Sequence, residues 1–207
     1  MISKGDKSTD YRQQLSQRII ETATKMFFSR GIKAVKMDDV AARLAISKRT
    51  LYEIFNNKEK LLLHCVKKLK NEKDEHFKQF MKGQKRTEID AIIEFYRFQM
   101  NRTASISPDF VSDLHRYPSV VSWINEVRRT SDRIAQDFFQ KGVDNGYFRK
   151  EVNFDLIWKF ADVAMSNAIQ SGIVEKYGVQ QVFKNVTMLY VRGFCTLKGI
   201  EALEKMI

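Results

Sequence analysis

Apolar residues recur at intervals of three and four over most of the chain, the period of helices that bury one face. From Tyr11 the positions Leu15, Ile19, Ala23, Met26 and Phe27 keep this spacing, and Ser29-Arg30-Gly31 then supplies a basic last turn and a C-cap glycine. The pattern predicts a first helix of about five turns, preceded by a polar, frayed terminus over the first ten residues. A short second helix fits residues 37–44. Asp38 and Asp39 fall in its first turn, near the positive end of the helix dipole, and Val40, Ala41 and Leu44 form its inner face. Ser47 stands as an N-cap before a third helix from Lys48 to about Phe55, which Asn56-Asn57 breaks. A fourth helix starts near Lys58, passes through Leu61, Leu62, Cys65, Val66 and Leu69 towards Phe77 and Phe80, and ends near Gly83.

Beyond it the same periodicity predicts helices over residues 87–104, a short piece after Pro108, residues 118–145 closed by Gly146, residues 154–172, and a last helix from Gly178 to about Ala202. The chain therefore reads as all-α, with about nine helices: three short ones, a connecting fourth, and a larger helical body. Two prolines and nine glycines in 207 residues agree with this, since most of the glycines fall between periodic segments. No internal repeat or low-complexity tract interrupts it.

Charge narrows the function classes. Thirty-six Lys and Arg against twenty-five Asp and Glu give +11, enough to attract a polyanion, whether nucleic acid or an anionic membrane surface. Cys65 and Cys195 lie far apart in apolar patterns, which excludes a disulfide framework or a CxxC metal site and suggests buried free thiols in a reducing cytoplasm. The opening "MISKGDKSTDYRQQL" has no signal-peptide core, and the longest weakly charged run, residues 160–174, is too short and polar to span a bilayer. His64, His76 and His115 are scattered, and no HExxH, GxGxxG, Walker or GxSxG stretch occurs, so neither a metal, a cofactor nor an enzyme activity is expected.

The chemistry concentrates in "AISKRTLYEIFNNKEKLL", residues 45–62. Two short helices separated by Ala45-Ile46-Ser47 form a helix-turn-helix pattern, in which the second helix enters the DNA major groove. Its outer face would carry Ser47, Lys48, Arg49, Thr50 and Glu53, while Leu51 and Phe55 anchor it inward. Lys48 and Arg49 are the candidate base readers, because either side chain can bond guanine O6 and N7. Tyr52 lies on the boundary, its hydroxyl suited to a phosphate, and Lys58 opens the next helix, where the positive helix end also suits a phosphate. Lys36 and Met37, at the start of the second helix, complete the candidate DNA-binding set.

At these residues the chain resembles TetR-family transcriptional regulators. "IIETATKMFFSRGIKAVKMDDVAARLAISKRTLYEIFNNKEKLL" follows the family's order: alanine and phenylalanine before a glycine, then D-[VI]-A, then S-x-x-T-L-Y-x-x-F-x-x-K-x-x-L-L. The resemblance implies an anchor at Leu51, a phosphate contact by Tyr52, base or phosphate contacts by Lys48, Arg49 and Thr50, and a backbone contact by Lys58. Three positions depart from the pattern. Lys36 replaces the usual Thr or Ser cap, Ala45 the usual turn glycine, and Arg49 a frequent glycine.

The resemblance also implies a DNA-binding domain over residues 1–57 and a ligand-binding and dimerisation domain over residues 58–207. Phe95, Tyr96, Met100, Phe110, Trp123 and Phe138 supply an apolar cavity there, with Gln99 and His115 among the polar groups that would orient a small, largely apolar effector. Towards the C-terminus Trp158, Ala161, Met165 and Ala168, with Val186, Tyr190, Gly193 and Leu197, form two apolar helix faces suited to a homodimer. The expected function is a cytoplasmic bacterial repressor that binds a pseudo-palindromic DNA operator as a homodimer and responds to a ligand. The alternatives are a sequence-tolerant, nucleoid-type DNA binder without an inducer and, less in keeping with the organised "SKRTLY" segment, a helical protein of membrane surfaces.

Overall fold

The computed structural model describes residues 4–82 and 85–205 and is all-helical in them, apart from an isolated antiparallel bridge between Phe148 and Cys195. Eleven helices follow one another: α1 (Lys4–Arg30), α2 (Met37–Arg43), α3 (Lys48–Ile54), α4 (Lys58–Phe80), α5 (Glu88–Thr103), α6 (Pro108–Leu114), α7 (Pro118–Asp144), α8 (Phe154–Gln170), α9 (Ile173–Tyr177), α10 (Val179–Phe194) and α11 (Leu197–Glu204). The chain divides into two compact units. One comprises the chain through Glu72 together with Asp109–Ser122, the other Lys73–Pro108 together with the chain from Trp123 onward.

In the first unit Leu15, Ile19, Ala23 and Phe27 of α1, Val40 and Ala41 of α2, Leu51 of α3, and Leu61, Leu62 and Cys65 of α4 are all buried. Side chains as fully covered as Ile19, Phe27, Leu51 and Leu61 each contribute about 1.5–3 kcal/mol. α1 begins earlier than the apolar pattern predicts, at Lys4. No proline intervenes there, and Gln14 Nε2 donates to Asp10 Oδ2 one turn back at 3.0 Å. The first three residues of the expected frayed terminus, and the expected end of α4 at Gly83, lie outside the described residues.

In the second unit Ile89, Ile92 and Ile93 of α5 pack with Phe148, Val191, Phe194, Cys195 and Leu203, flanked by Phe138, Phe139 and Phe154. A separate cluster joins Ala168 of α8, Val174 of α9 and Val182 of α10. Two breaks account for the helices that periodicity did not resolve. Gly172, left-handed at φ +74°, and Gly178, at φ +82° and ψ 150°, isolate α9, because a positive φ that glycine adopts freely ends the helix at each. The expected last helix also splits at Cys195-Thr196. There Thr196 N–H donates to Tyr147 O at 2.9 Å, and Thr196 Oγ1 caps α11 by accepting the Gly199 N–H at 3.1 Å.

Candidate nucleic-acid interface

α2 and α3 form a helix-turn-helix whose turn passes through Ala45 at φ 53°, the one non-glycine residue of positive φ among those described. Ile46 N–H closes the turn on Ala41 O at 3.1 Å. Ser47 then caps α3: its Oγ accepts the Thr50 N–H at 3.0 Å and lies 2.8 Å from Thr50 Oγ1. Lys36 cannot cap α2 with its side chain, but the reverse half of a capping box remains, its N–H donating to Asp39 Oδ2 at 2.8 Å.

α3 separates its residues by face. Leu51 and Phe55 are buried, and the Phe55 ring meets His64 edge-on with centroids 5.3 Å apart. Ser47, Lys48, Arg49 and Glu53 are exposed, Thr50 is half-buried, and Tyr52 is 44% exposed. The two cations have acidic partners: Lys48 Nζ lies 2.6 Å from Asp38, and Arg49 Nε lies 2.8 Å from Glu53. Each carboxylate raises its partner's pKa, so both cations stay charged. Exposed pairs of this kind hold weakly and leave the cations able to exchange a carboxylate for a phosphate or a base edge. Arg12 donates to Glu53 O at 2.9 Å and so ties α1 to the last turn of α3.

Two members of the predicted set are turned inward. Met37 is only 7% exposed and belongs to the core, leaving its backbone at the start of α2. Lys58 directs its ammonium to Ile32 O at 2.8 Å and Val35 O at 2.9 Å rather than outward, and burial lowers its pKa. Sequence spacing gives no sign of this, because both carbonyls lie more than twenty residues upstream.

The candidate effector residues do not gather in one place. Phe110 packs edge-on against Phe28 at 4.8 Å and, like the exposed His115, belongs to the first unit. Phe138 joins the Phe148 cluster, and Trp123 is half-buried at the start of the second unit's share of α7. Phe95, Tyr96 and Met100 do come together on α5: Phe95 and Tyr96 each face Phe183 of α10, at 6.4 and 6.3 Å, and Met100 O accepts from Gln180 Nε2 at 3.0 Å. Gln99 beside them is half-buried. Phe77, Phe98 and His76 extend the same group, with His76 Nε2 2.5 Å from Glu94 Oε1. His76, Phe77 and Phe183 were not among the predicted effector residues, because only ring contacts between residues far apart in sequence join them to Phe95, Tyr96 and Phe98.

The candidate dimer residues also divide. Ala168 is buried within its own chain, where Met165 and Val186 pack against it, and Ala161 and Tyr190 are half-buried. Trp158, Gly193 and Leu197 face outward, Leu197 at 80% exposure. Beside them α8 exposes Leu156, Phe160 and Val163 at helical spacing, and α10 exposes Leu189. Among the described residues no helix is long and apolar enough to cross a membrane, and no three His, Cys, Asp or Glu side chains gather as a metal site.

Residues 19–65 match the family model for bacterial regulatory proteins of the tetR family. The chain is 24% identical over 157 residues to the HTH-type transcriptional repressor KstR2 of Mycolicibacterium smegmatis, an alignment spanning 69% of this chain and 71% of that protein. Among solved structures, a TetR-family regulator from Agrobacterium tumefaciens superposes with a TM-score of 0.70 at 12% identity, over 89% of this chain and all of that one. FadR of Bacillus subtilis, solved in complex with stearoyl-CoA, does so with a TM-score of 0.62 at 16% identity, over 86% of this chain and 98% of that one. The curated relatives it matches are named as transcriptional repressors, not enzymes.

Proposed function

We propose, for a chain that belongs by its residues 19–65 to the tetR family of bacterial regulatory proteins, a ligand-responsive repressor that binds a pseudo-palindromic operator as a homodimer. The observation that carries this reading is the division of α3, with Leu51 and Phe55 holding it to its unit and Lys48, Arg49, Thr50 and Tyr52 on the open side of a Ser47-capped helix. A helix so presented suits the major groove, with its N-terminal residues at the base edges. Lys48 and Arg49 are the base readers, Tyr52 and Ser47 bind phosphate, and Lys36 adds a cation at the head of α2.

The homodimer is supported by apolar surface that the chain leaves uncovered. Leu156, Phe160 and Val163 on α8, with Leu189 and Gly193 on α10 and Leu197 at the start of α11, are exposed, and a side chain added at Gly193 would meet nothing within 4 Å. Two such helices meeting their symmetry mates would form an intersubunit four-helix bundle. The effector we place beside Phe95, Tyr96, Met100 and Phe183, a half-buried aromatic wall suited to a largely apolar molecule. The stearoyl chain held by the Bacillus subtilis neighbour supports that class. An effector that binds one conformation better would change the spacing of the two α3 helices by way of α4 and weaken DNA binding.

Selection of duplexes from a random-sequence pool tests the reading. An enriched inverted repeat with half-site centres about one helical turn apart, or a multiple of it, is expected. Enrichment of single, unpaired sites would remove the homodimeric operator from the proposal.

A further inference from the structure

Asp113 of α6 is the one buried polar residue among those described, 7% exposed. Burying a carboxylate is unfavourable unless directed hydrogen bonds compensate it. Here Oδ2 accepts the Lys33 N–H at 2.6 Å, while Arg116 Nε stands 3.8 Å from Oδ1. Lys33 lies in the 31–36 loop that leads from α1 to Lys36 and the first turn of α2. The same loop is held from a second side by Lys58, through Ile32 O and Val35 O. α6 also lies against the loop's backbone: a Cβ at Gly31, whose φ is +79°, would stand 2.7 Å from Asp109 Cβ. A further tie joins the start of α7 to α4, where Glu59 Oε1 accepts Ser119 N–H at 2.9 Å and Ser119 Oγ–H at 2.7 Å. Although α6 follows α5 in the chain, its carboxylate thus serves the loop that delivers α2.

We infer that Asp113 is a positioning residue for DNA binding: it fixes the 31–36 loop through the Lys33 N–H, and thereby the place of Lys36 at the head of α2, without itself touching DNA. This rests on the reading of α2 and α3 as the DNA-binding pair. Replacing a charge-assisted acceptor by a methyl group leaves the Lys33 N–H without its partner, so the loop loses its preference for the binding geometry.

The test uses the full chain and the duplex that the wild-type protein enriches from a random pool. Asp113→Ala, at a temperature where its helicity remains native, is expected to lose about tenfold in affinity. Asp113→Asn keeps an acceptor oxygen and is expected to recover most of that loss, with the Lys33 amide resonance close to its wild-type position. In a Lys36→Ala background the effect of either substitution should shrink, because Asp113 acts through Lys36. Should Asp113→Ala not fold, the same cycle is run with Asp113→Asn, for which a loss of about threefold that disappears with Lys36→Ala is expected. Wild-type affinity in a folded Asp113→Ala protein, or losses strictly additive with Lys36→Ala, would overturn the inference and leave DNA binding intact. A wild-type protein that enriches no duplex would instead overturn the reading on which it rests.

Discussion

At the scale of single residues, the helix-turn-helix carries one strained backbone position and two cations already paired. Ala45 holds φ 53° where a glycine would rest freely. An L-residue in that region costs about 1–2 kcal/mol, so Ala45→Gly should stabilise the first unit by about 1 kcal/mol, read from the denaturation midpoint at unchanged slope. A loss of stability would show that the turn gains more from the methyl than from relief of strain. Arg49, paired with Glu53, should read one base position: Arg49→Ala is expected to relax preference there about tenfold. Tyr52→Phe should weaken all sequences alike, because a phosphate contact carries no sequence information, and a defect confined to one base pair would contradict that role. The division of α3 by face was legible because cap, anchors and outer face all lie within nine residues, from Ser47 to Phe55. Lys58 was not, because its partners are carbonyls that only the tertiary fold brings to it.

At the scale of elements, apart from the early start of α1, the helices through α8 follow the apolar periodicity closely, and the C-terminal helices depart from it. The stripe Val182, Val186, Leu189, Gly193, Leu197 runs on through the break at Cys195-Thr196, so no change of pattern marks it. What ends α10 is a partner elsewhere in the chain, the Tyr147-Phe148-Arg149 segment, with Arg149 N–H on Phe194 O at 2.9 Å. Gly199 of α11 comes so close to Tyr147 O that a side chain would collide with it. Gly142 of α7 lies under the Phe148 ring in the same way. Glycine inside a helix normally gives way to alanine with a gain in stability, but here Gly142→Ala must displace a buried ring and should destabilise the second unit by about 1–3 kcal/mol. Thermal unfolding followed by circular dichroism measures this, and a gain would mean that Phe148 has room to move. Burial at the same junction pushes the Cys195 thiol up to about 11, and Cys65 likewise, so neither should react with a thiol reagent at neutral pH until the protein unfolds.

At the scale of the whole molecule, a net charge of +11 attracts any duplex, and charge alone does not separate a repressor from a sequence-tolerant binder. The candidate effector residues show why sequence stops short here. Periodicity marks Phe95, Phe110 and Phe138 as inward-facing, but not that Phe110 belongs to a different compact unit from the other two. The dimer proposal has its own check: Gly193→Arg introduces a charged side chain into the exposed α10 stripe and should shift the protein towards monomer in analytical ultracentrifugation, whereas an unchanged dimer would move the interface elsewhere. The most direct measurement of what α3 does is the ratio of wild-type affinities for the selected duplex and for the same duplex scrambled, at physiological salt. A reading helix predicts a ratio of about a thousand or more. Equal affinities, falling together as salt rises, would contradict it and leave only a basic surface attracted to phosphate.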